Sequence, residues 1–310
     1  MSKIKTAIDL LRHNRNEFFA SILMYFNFLF PDKLYLSLLF RLKMGYWMDW
    51  KNPKTFSEKL QWLKLYDRNP EYTTLVDKHA VKDYVANIIG KEYIIPTLGV
   101  WDSPEDIDWD SLPQKFVLKT THGGGGSGVV ICKDKATFDK DAAIARLNKS
   151  LNECIYKSLR EWPYKDVQKR IIAEQFLSDE SIYNKNGITD YKFFCFNGYV
   201  DNVMVCIDRE LKDTKFYFFD KDWTILPLNK RGLEVKPDFK LPKPKEINKM
   251  FEIAKELSKS IPFLRVDLYF IDNKIYFGET TFFPDSGFDS NLLQETEIKF
   301  NNLINLNINE

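Results

Sequence analysis

The stretch Lys115-Phe-Val-Leu-Lys-Thr-Thr-His-Gly-Gly-Gly-Gly-Ser-Gly-Val-Val-Ile-Cys-Lys133 constrains this chain more than any other. An apolar run ending at Lys119 enters the densest glycine cluster of the sequence, and a second run, Val129 to Cys132, leaves it. Apolar runs separated by glycines predict strand, loop, strand. Glycine has no Cβ, so several backbone N–H groups of Gly124, Gly125, Gly126 and Ser127 can turn toward one anion without steric cost. With Lys119 at the entrance, the simplest ligand is a polyphosphate. The bland alternative is a flexible surface hairpin.

Other phosphate loops fit less well. A Walker A loop needs Gly-Lys-Ser/Thr opening a helix, and no lysine follows these glycines directly. Gly123, Gly125 and Gly128 satisfy G-x-G-x-x-G, but the dinucleotide version requires a helix next, and Val129-Val-Ile-Cys132 reads as a strand. The same glycines with Val130 match the protein-kinase loop, yet the chain has no His-Arg-Asp and no Asp-Phe-Gly.

Composition narrows the class. At 310 residues the chain has room for two or three subdomains. Its 45 basic and 44 acidic residues leave a net charge of +1, so no long-range field recruits nucleic acid. Four cysteines without CxxC spacing and three histidines argue against a zinc site and a disulfide framework. Together with a polar, charged start in place of a signal peptide, this predicts a cytoplasmic protein. The apolar block Phe18 to Phe30 has 13 residues and is too short to span a bilayer. It and the block Leu34 to Leu42 read as helices packed on the body, or as a peripheral membrane contact through residues 18–43.

Taken in order, residues 1–50 read as helices, and Thr55-Phe-Ser-Glu58 resembles a capping box opening a helix over Phe56 to Tyr66. Leu75 to Val85 predicts a short amphipathic helix carrying Lys78, and Asp139 to Leu159 a polar one. Arg170 to Leu177 is an apolar strand holding Glu174, which needs a partner if buried. From Asp190 the chain turns to strands, with hairpins at Asn197-Gly198 and Asp272-Asn273 around a helix near 245–260. On the last hairpin, alternation puts Arg265 and Asp267 on one face and Glu279 and Thr281 on one face. Side by side they offer two carboxylates, a hydroxyl and a guanidinium, oxygen donors that suit Mg²⁺.

This ordered set resembles the ATP-grasp fold. More narrowly, Asn52-Pro-Lys-Thr-Phe56, Val76-Asp-Lys78, Asp190-Tyr-Lys-Phe193 and Tyr276-Phe-Gly-Glu-Thr280 look like the TupA-type ATP-grasp proteins, associated with teichuronopeptide and other bacterial surface-polysaccharide synthesis. The resemblance covers about Phe28 to Phe288. It implies an α+β fold of two subdomains clamping ATP, 71–175 and 176–310, preceded by a helical region, 1–70. It implies that Lys78, Lys119 and the loop Gly124, Gly125, Gly126 and Ser127 hold the phosphates of ATP. Glu174, Gln175 and Leu177 would contact adenine, Asp190 ribose, and Lys192 the transferred phosphate. Asp267, Glu279 and Thr281 would ligate Mg²⁺, and Arg265 would steady an oxyanion. Arg209 and Asp285-Ser-Gly287 are the substrate-contact candidates. Thr281 departs from the asparagine many members carry, and the helical start departs from their α/β substrate domain. The implied activity is a carboxylate–amine ligase acting on a uronic acid and an amine, on a small molecule or on a lipid- or nucleotide-linked glycan. A kinase or glycosyltransferase on a glycan precursor, or a non-catalytic scaffold, is the alternative.

Overall fold

A computed structural model describes residues 13–178, 181–184, 187–209, 211 and 213–306. The start of the expected helical region, 1–12, lies outside the described residues. Helices α1 (Arg15–Tyr25), α2 (Asp32–Met44), α3 (Phe56–Tyr66), α4 (Glu71–Val76) and α5 (Ala80–Ile89) come first. Strands β1 (Thr97–Trp101), β2 (Phe116–Thr120) and β3 (Val129–Cys132) precede α6 (Lys140–Leu151) and α7 (Ile155–Leu159). Then follow β4 (Ile171–Gln175), β5 (Asp190–Phe196), β6 (Tyr199–Ile207), β7 (Lys215–Phe219) and β8 (Ile225–Leu226). Helices α8 (Lys230–Leu233) and α9 (Ile247–Leu257), strands β9 (Leu264–Ile271) and β10 (Lys274–Thr281), and α10 (Gln294–Leu303) complete the order. The fold is α+β, with every ladder between these strands antiparallel.

The chain divides into two compact units. The first gathers the helices up to Asn69, Cys154–Lys165 and the segment from Phe283 onward. Ala20, Leu23, Tyr35, Leu36 and Leu39 form one of its cores. The capping box at α3 is present, Thr55 accepting from Glu58 N while the Glu58 carboxylate accepts from Thr55 N. Within this unit Asp285, Ser286 and Gly287 all take left-handed backbone (φ 45, 53 and 68°), a conformation that costs about 1–2 kcal/mol for each residue with a Cβ. Their carbonyls are held: Gln61 Nε2 donates to Ser286 O and Gly287 O, both at 3.0 Å, and the buried Lys64 donates to Ser286 O at 2.8 Å. Burial lowers the pKa of Lys64, and the neighbouring Glu161 draws it back up.

The second unit, Pro70–Glu153 with Asp166–Phe282, holds both sheets. The smaller has the order β1-β4-β2-β3 and the larger β10-β9-β5-β6-β7-β8. Alternation sorts each strand into two faces. In the small sheet Phe116, Leu118, Ile171 and Ala173 meet Ala143 and Leu147 of α6, which leaves Lys119 and Glu174 on the other face. In the large sheet α9 covers one face, Phe251 lying edge-on to Phe193 with ring centroids 5.0 Å apart. The opposite face receives Asp190, Lys192, Arg265 and Asp267 through the register Asp190↔Tyr269, Lys192↔Asp267 and Phe194↔Arg265.

Two helices predicted as continuous are broken. The one over 75–85 stops at Val76 and restarts at Ala80, because the Asp77 carboxylate accepts from His79 N (2.8 Å) and Ala80 N (3.2 Å) and so caps a new helix. Lys78 therefore lies in a joint rather than on a helix. The one over 139–159 ends at Leu151 and resumes as α7 at Ile155; Asn152 spends its side-chain amide on Asn148 O, 2.9 Å away, as the turn closes.

Candidate functional site

The geometry of the site begins at β9 and β10. From Lys274 to Phe277 the strands pair in one register, and from Glu279 onward they are shifted by one residue, with Gly278 the extra residue. In an unbroken ladder Glu279 would lie opposite Val266, on the face that carries the core. The bulge turns it to lie opposite Asp267, with Thr281 opposite Arg265. A Cβ on Gly278 would stand 3.0 Å from the Asp267 carbonyl oxygen and 3.0 Å from the Tyr269 ring. Gly278→Ala is therefore expected to lower unfolding free energy by about 1–3 kcal/mol, read from the denaturant midpoint. An unchanged midpoint would show that the strand pair has room to spare.

The bulge assembles an ionic network. Arg265 donates from Nε and Nη2 to the buried Asp267 carboxylate at 2.7 and 2.8 Å and from Nη2 to Thr281 Oγ1 at 3.0 Å. Its Nη2 also lies 3.6 Å from Glu279. Lys192 pairs with Asp267 and, at 3.2 Å, with Asp190. Arg209, on the half-open end after β6, pairs with Asp190 as well. The other oxygen of Asp190, Oδ1, is buried and has no hydrogen-bond donor among the described residues.

A second cluster forms where α5 and β2 meet β4. The buried Glu174 is gripped by Lys82 at 2.5 Å and Lys119 at 2.6 Å. Burial would raise its pKa, but the two lysines outweigh that and hold it below the usual carboxylate range. Burial lowers the pKa of Lys82, with Glu174 opposing. Lys78 links the clusters. Its N–H donates to Thr121 O at 3.0 Å, its ammonium donates to Gly123 O, and the same ammonium lies 4.0 Å from Glu279. Thr280 Oγ1, donating to Leu75 O at 2.6 Å, ties β10 to the end of α4 just before this joint.

Glu279 shows how strongly the clusters interact. Its depth in the site would raise its pKa; Lys78, Lys192, Arg265 and Lys119 together bring it down to about 2, although 41% of the side chain reaches water. Its folded pKa thus lies below the ordinary 4.5. Any stability it contributes is present above about pH 4.5 and is lost as pH falls through about 2. The difference in stability between the parent and Glu279→Gln is expected to close over that window. A gap that stays constant with pH would contradict this coupling.

The glycine hairpin has two kinds of glycine. Gly125 and Gly126 take φ of 61 and 76° at the tip, with open space around them. Gly123 and Gly128 sit at the root, where a Cβ would fall 2.5 and 2.1 Å from Thr120 Oγ1. Arg146 of α6 donates to Ser127 O and Gly126 O, each at 3.0 Å, which occupies the loop's carbonyls. The N–H groups of Gly124, Gly125 and Gly126 donate to no group among the described residues. Backbone N–H groups left unbonded beside carbonyls that are tied back are of the kind that can receive an anion.

Summed over both clusters, six cations (Lys78, Lys82, Lys119, Lys192, Arg209 and Arg265) face four carboxylates (Glu174, Asp190, Asp267 and Glu279). The surplus of two positive charges calls for an anionic guest. Among the described residues no three His, Cys, Asp or Glu gather as a ready metal cage. Asp267 and Glu279 with the Thr281 hydroxyl fit a cation that keeps waters and shares phosphate oxygens, as Mg²⁺ does.

Most residues expected from the sequence are brought together here. Gln175 and Leu177 follow Glu174 along the chain, but their side chains join no ion pair; the Gln175 N–H goes to Pro96 O at 3.0 Å. Sequence reasoning missed Lys82. Its signal is a lysine in a stripe with Val85 and Ile89 at helical spacing. It also missed His122, buried at the hairpin's root with Nε2 3.1 Å from Ser150 O.

The family model described as TupA-like ATPgrasp matches residues 58–304. No curated protein matches the sequence. Among solved structures, D-alanine-D-alanine ligase from Helicobacter pylori is similar at 16% identity and a TM-score of 0.41, over 79% of this chain and 67% of that one. D-cycloserine synthetase DcsG is similar at 14% identity and a TM-score of 0.46, over 83% of this chain and 84% of that one. D-alanine-D-alanine ligase from Bacillus anthracis complexed with ATP is similar at 15% identity and a TM-score of 0.43, over 74% and 63%.

Proposed function

Because the chain belongs to the TupA-like ATP-grasp family, we propose that it is an ATP-dependent carboxylate–amine ligase working through an acylphosphate. The observation that carries this reading is the two-charge cationic surplus between an amide-lined glycine loop and an acidic hairpin. A nucleoside triphosphate with a divalent cation balances that charge. Residues 71–175 and 176–310 are then the two ATP-grasp subdomains, with 1–70 the helical addition, into whose compact unit Cys154–Lys165 and the segment from Phe283 are drawn.

In this reading Lys78, Lys119 and the N–H groups of Gly124, Gly125 and Gly126, with Ser127, hold the phosphates. Glu174 and the backbone at Gln175 and Leu177 meet adenine. The unpaired Oδ1 of Asp190 accepts from a ribose hydroxyl, which would complete its hydrogen bonding. Asp267, Glu279 and Thr281 hold Mg²⁺, which supplies Lewis-acid charge to the phosphates when bound. Lys192 faces the γ-phosphate. A substrate carboxylate oxygen bonds to the γ-phosphorus as the bond to the β-phosphate oxygen breaks, and ADP leaves. An amine then bonds to the acyl carbon, Arg265 steadies the oxyanion, phosphate departs and the nitrogen loses a proton. Closing of the glycine tip over the phosphates keeps water from the acylphosphate.

Family membership supports a uronic acid of a bacterial capsular or cell-wall glycan as the acid, and an amino acid or other amine as its partner. Arg209 and Asp285-Ser-Gly287 are the residues proposed to contact them. The test is ADP release by the purified protein with MgATP, uronic acid and amine, with mass spectrometry of the products. ADP release requiring both, with an amide product, is expected. Release with sugar alone and a stable phosphosugar would replace the ligase with a kinase, and no saturable ATP binding would replace it with a scaffold.

A further inference from the structure

The ion-pair clusters and the glycine loop lie wholly in the unit that holds the sheets, and the helical unit carries an apolar surface that the proposed reaction does not use. Helix α1 is apolar on two sides. Ala20 and Leu23 are buried toward α2, while Phe19, Ile22 and Phe26, at positions i, i+3 and i+7, are 40–49% exposed. Tyr25 at its end and Phe28 and Leu29 in the turn beyond it are 76, 73 and 62% exposed. A helix apolar all round is normally covered on all sides.

Charge says what covers it. From Phe18 to Pro31 the sequence has no acid and no Lys, Arg or His. The acids that flank this stretch are neutralised within the protein: Glu17 by Lys43 at 2.7 Å, and Asp32 by Arg160 at 2.8 Å and Arg68 at 3.3 Å. Arg15, one turn before Phe19 on the same stripe of the helix, stays exposed, as do Lys33 and Arg41 on α2. Residues 1–51 carry eight Lys and Arg against four Asp and Glu, while the rest of the chain carries 37 against 40. Positive charge is thus gathered on the segment that bears the apolar face. An aromatic-rich apolar face on a segment with an excess of bases matches the headgroup region of a bilayer, and no described helix is long and apolar enough to cross one.

We infer that α1 and the turn after it, Phe19 to Leu29, seat this protein on the surface of a membrane containing anionic lipid. The test is flotation of the full chain with phosphatidylcholine vesicles, with and without phosphatidylglycerol, at low and high salt. The protein is expected to float with the anionic vesicles and at least tenfold less with the neutral ones, with salt weakening the binding. Phe28→Glu combined with Leu29→Glu changes only exposed side chains, so the thermal midpoint should hold while the bound fraction drops at least tenfold; Arg15→Glu should lower it in part. Failure to float with either vesicle, or equal flotation with both, overturns the inference. So does a dimer in light scattering that the Phe28/Leu29 variant makes monomeric, since a second copy would then be the cover. The assay contains no nucleotide, so its failure leaves the ligase reading untouched.

Discussion

Glu174→Gln is expected to lower the unfolding free energy by about 3–5 kcal/mol, the usual result of removing one partner from a buried charge pair. The substitution keeps the shape and removes only the charge. Lys82 and Lys119, 11 and 18% exposed, are then left as neighbouring ammonium groups without their shared carboxylate. Lys82 retains its bond to Ile95 O at 2.7 Å, which satisfies one donor but balances no charge. For a chain of this size the thermal midpoint should fall by roughly 5–8 °C. Saturating MgATP is expected to restore part of the loss, because in the proposed reading the triphosphate brings anionic charge to Lys119. A variant as stable as the parent would mean that no uncompensated charge is left there, and the charge count behind the nucleotide reading would fail.

Lys192→Met separates chemistry from folding. Asp267 keeps both hydrogen bonds from Arg265, and Asp190 keeps Arg209, so no carboxylate is stranded and stability should change far less than in the Glu174 variant. If Lys192 faces the γ-phosphate, its charge matters most when that phosphate is in transit. Turnover is then expected to fall about 10²–10³-fold, the scale found on removing one preorganised transition-state donor, with a smaller change in KM for ATP. Steady-state ADP release gives both constants. A rise in KM with kcat intact would move Lys192 to ground-state binding.

How far the sequence could be read depended on the range of each signal. The glycine hairpin was legible because a strand, a φ-permissive loop and a strand are decided over about twenty residues. So was the α3 cap, whose partners Thr55 and Glu58 are three apart. That Arg265 and Asp267 share a face followed from alternation alone. Lys82 was not legible as a site residue, since its partner Glu174 lies 92 positions on. The break at Asp77 was missed because hydrophobic periodicity runs through it, while the side-chain cap that makes it competes only locally.

Local chemistry in the chain thus determined the α+β class, the glycine loop and the residue types of the site, because strand alternation, turn residues and caps act between near neighbours. Tertiary structure decided which face each carboxylate takes and which cation it meets. The one-residue bulge at Gly278 is the clearest case: it alone carries Glu279 from the core side to the side of Asp267, and a ladder shift exists only between two strands. It also decided that the segment after Phe283 belongs with the N-terminal helices, where Ser57 bonds Glu297 across 240 residues. Contacts of that separation are set by packing of the whole chain, which no window of sequence contains.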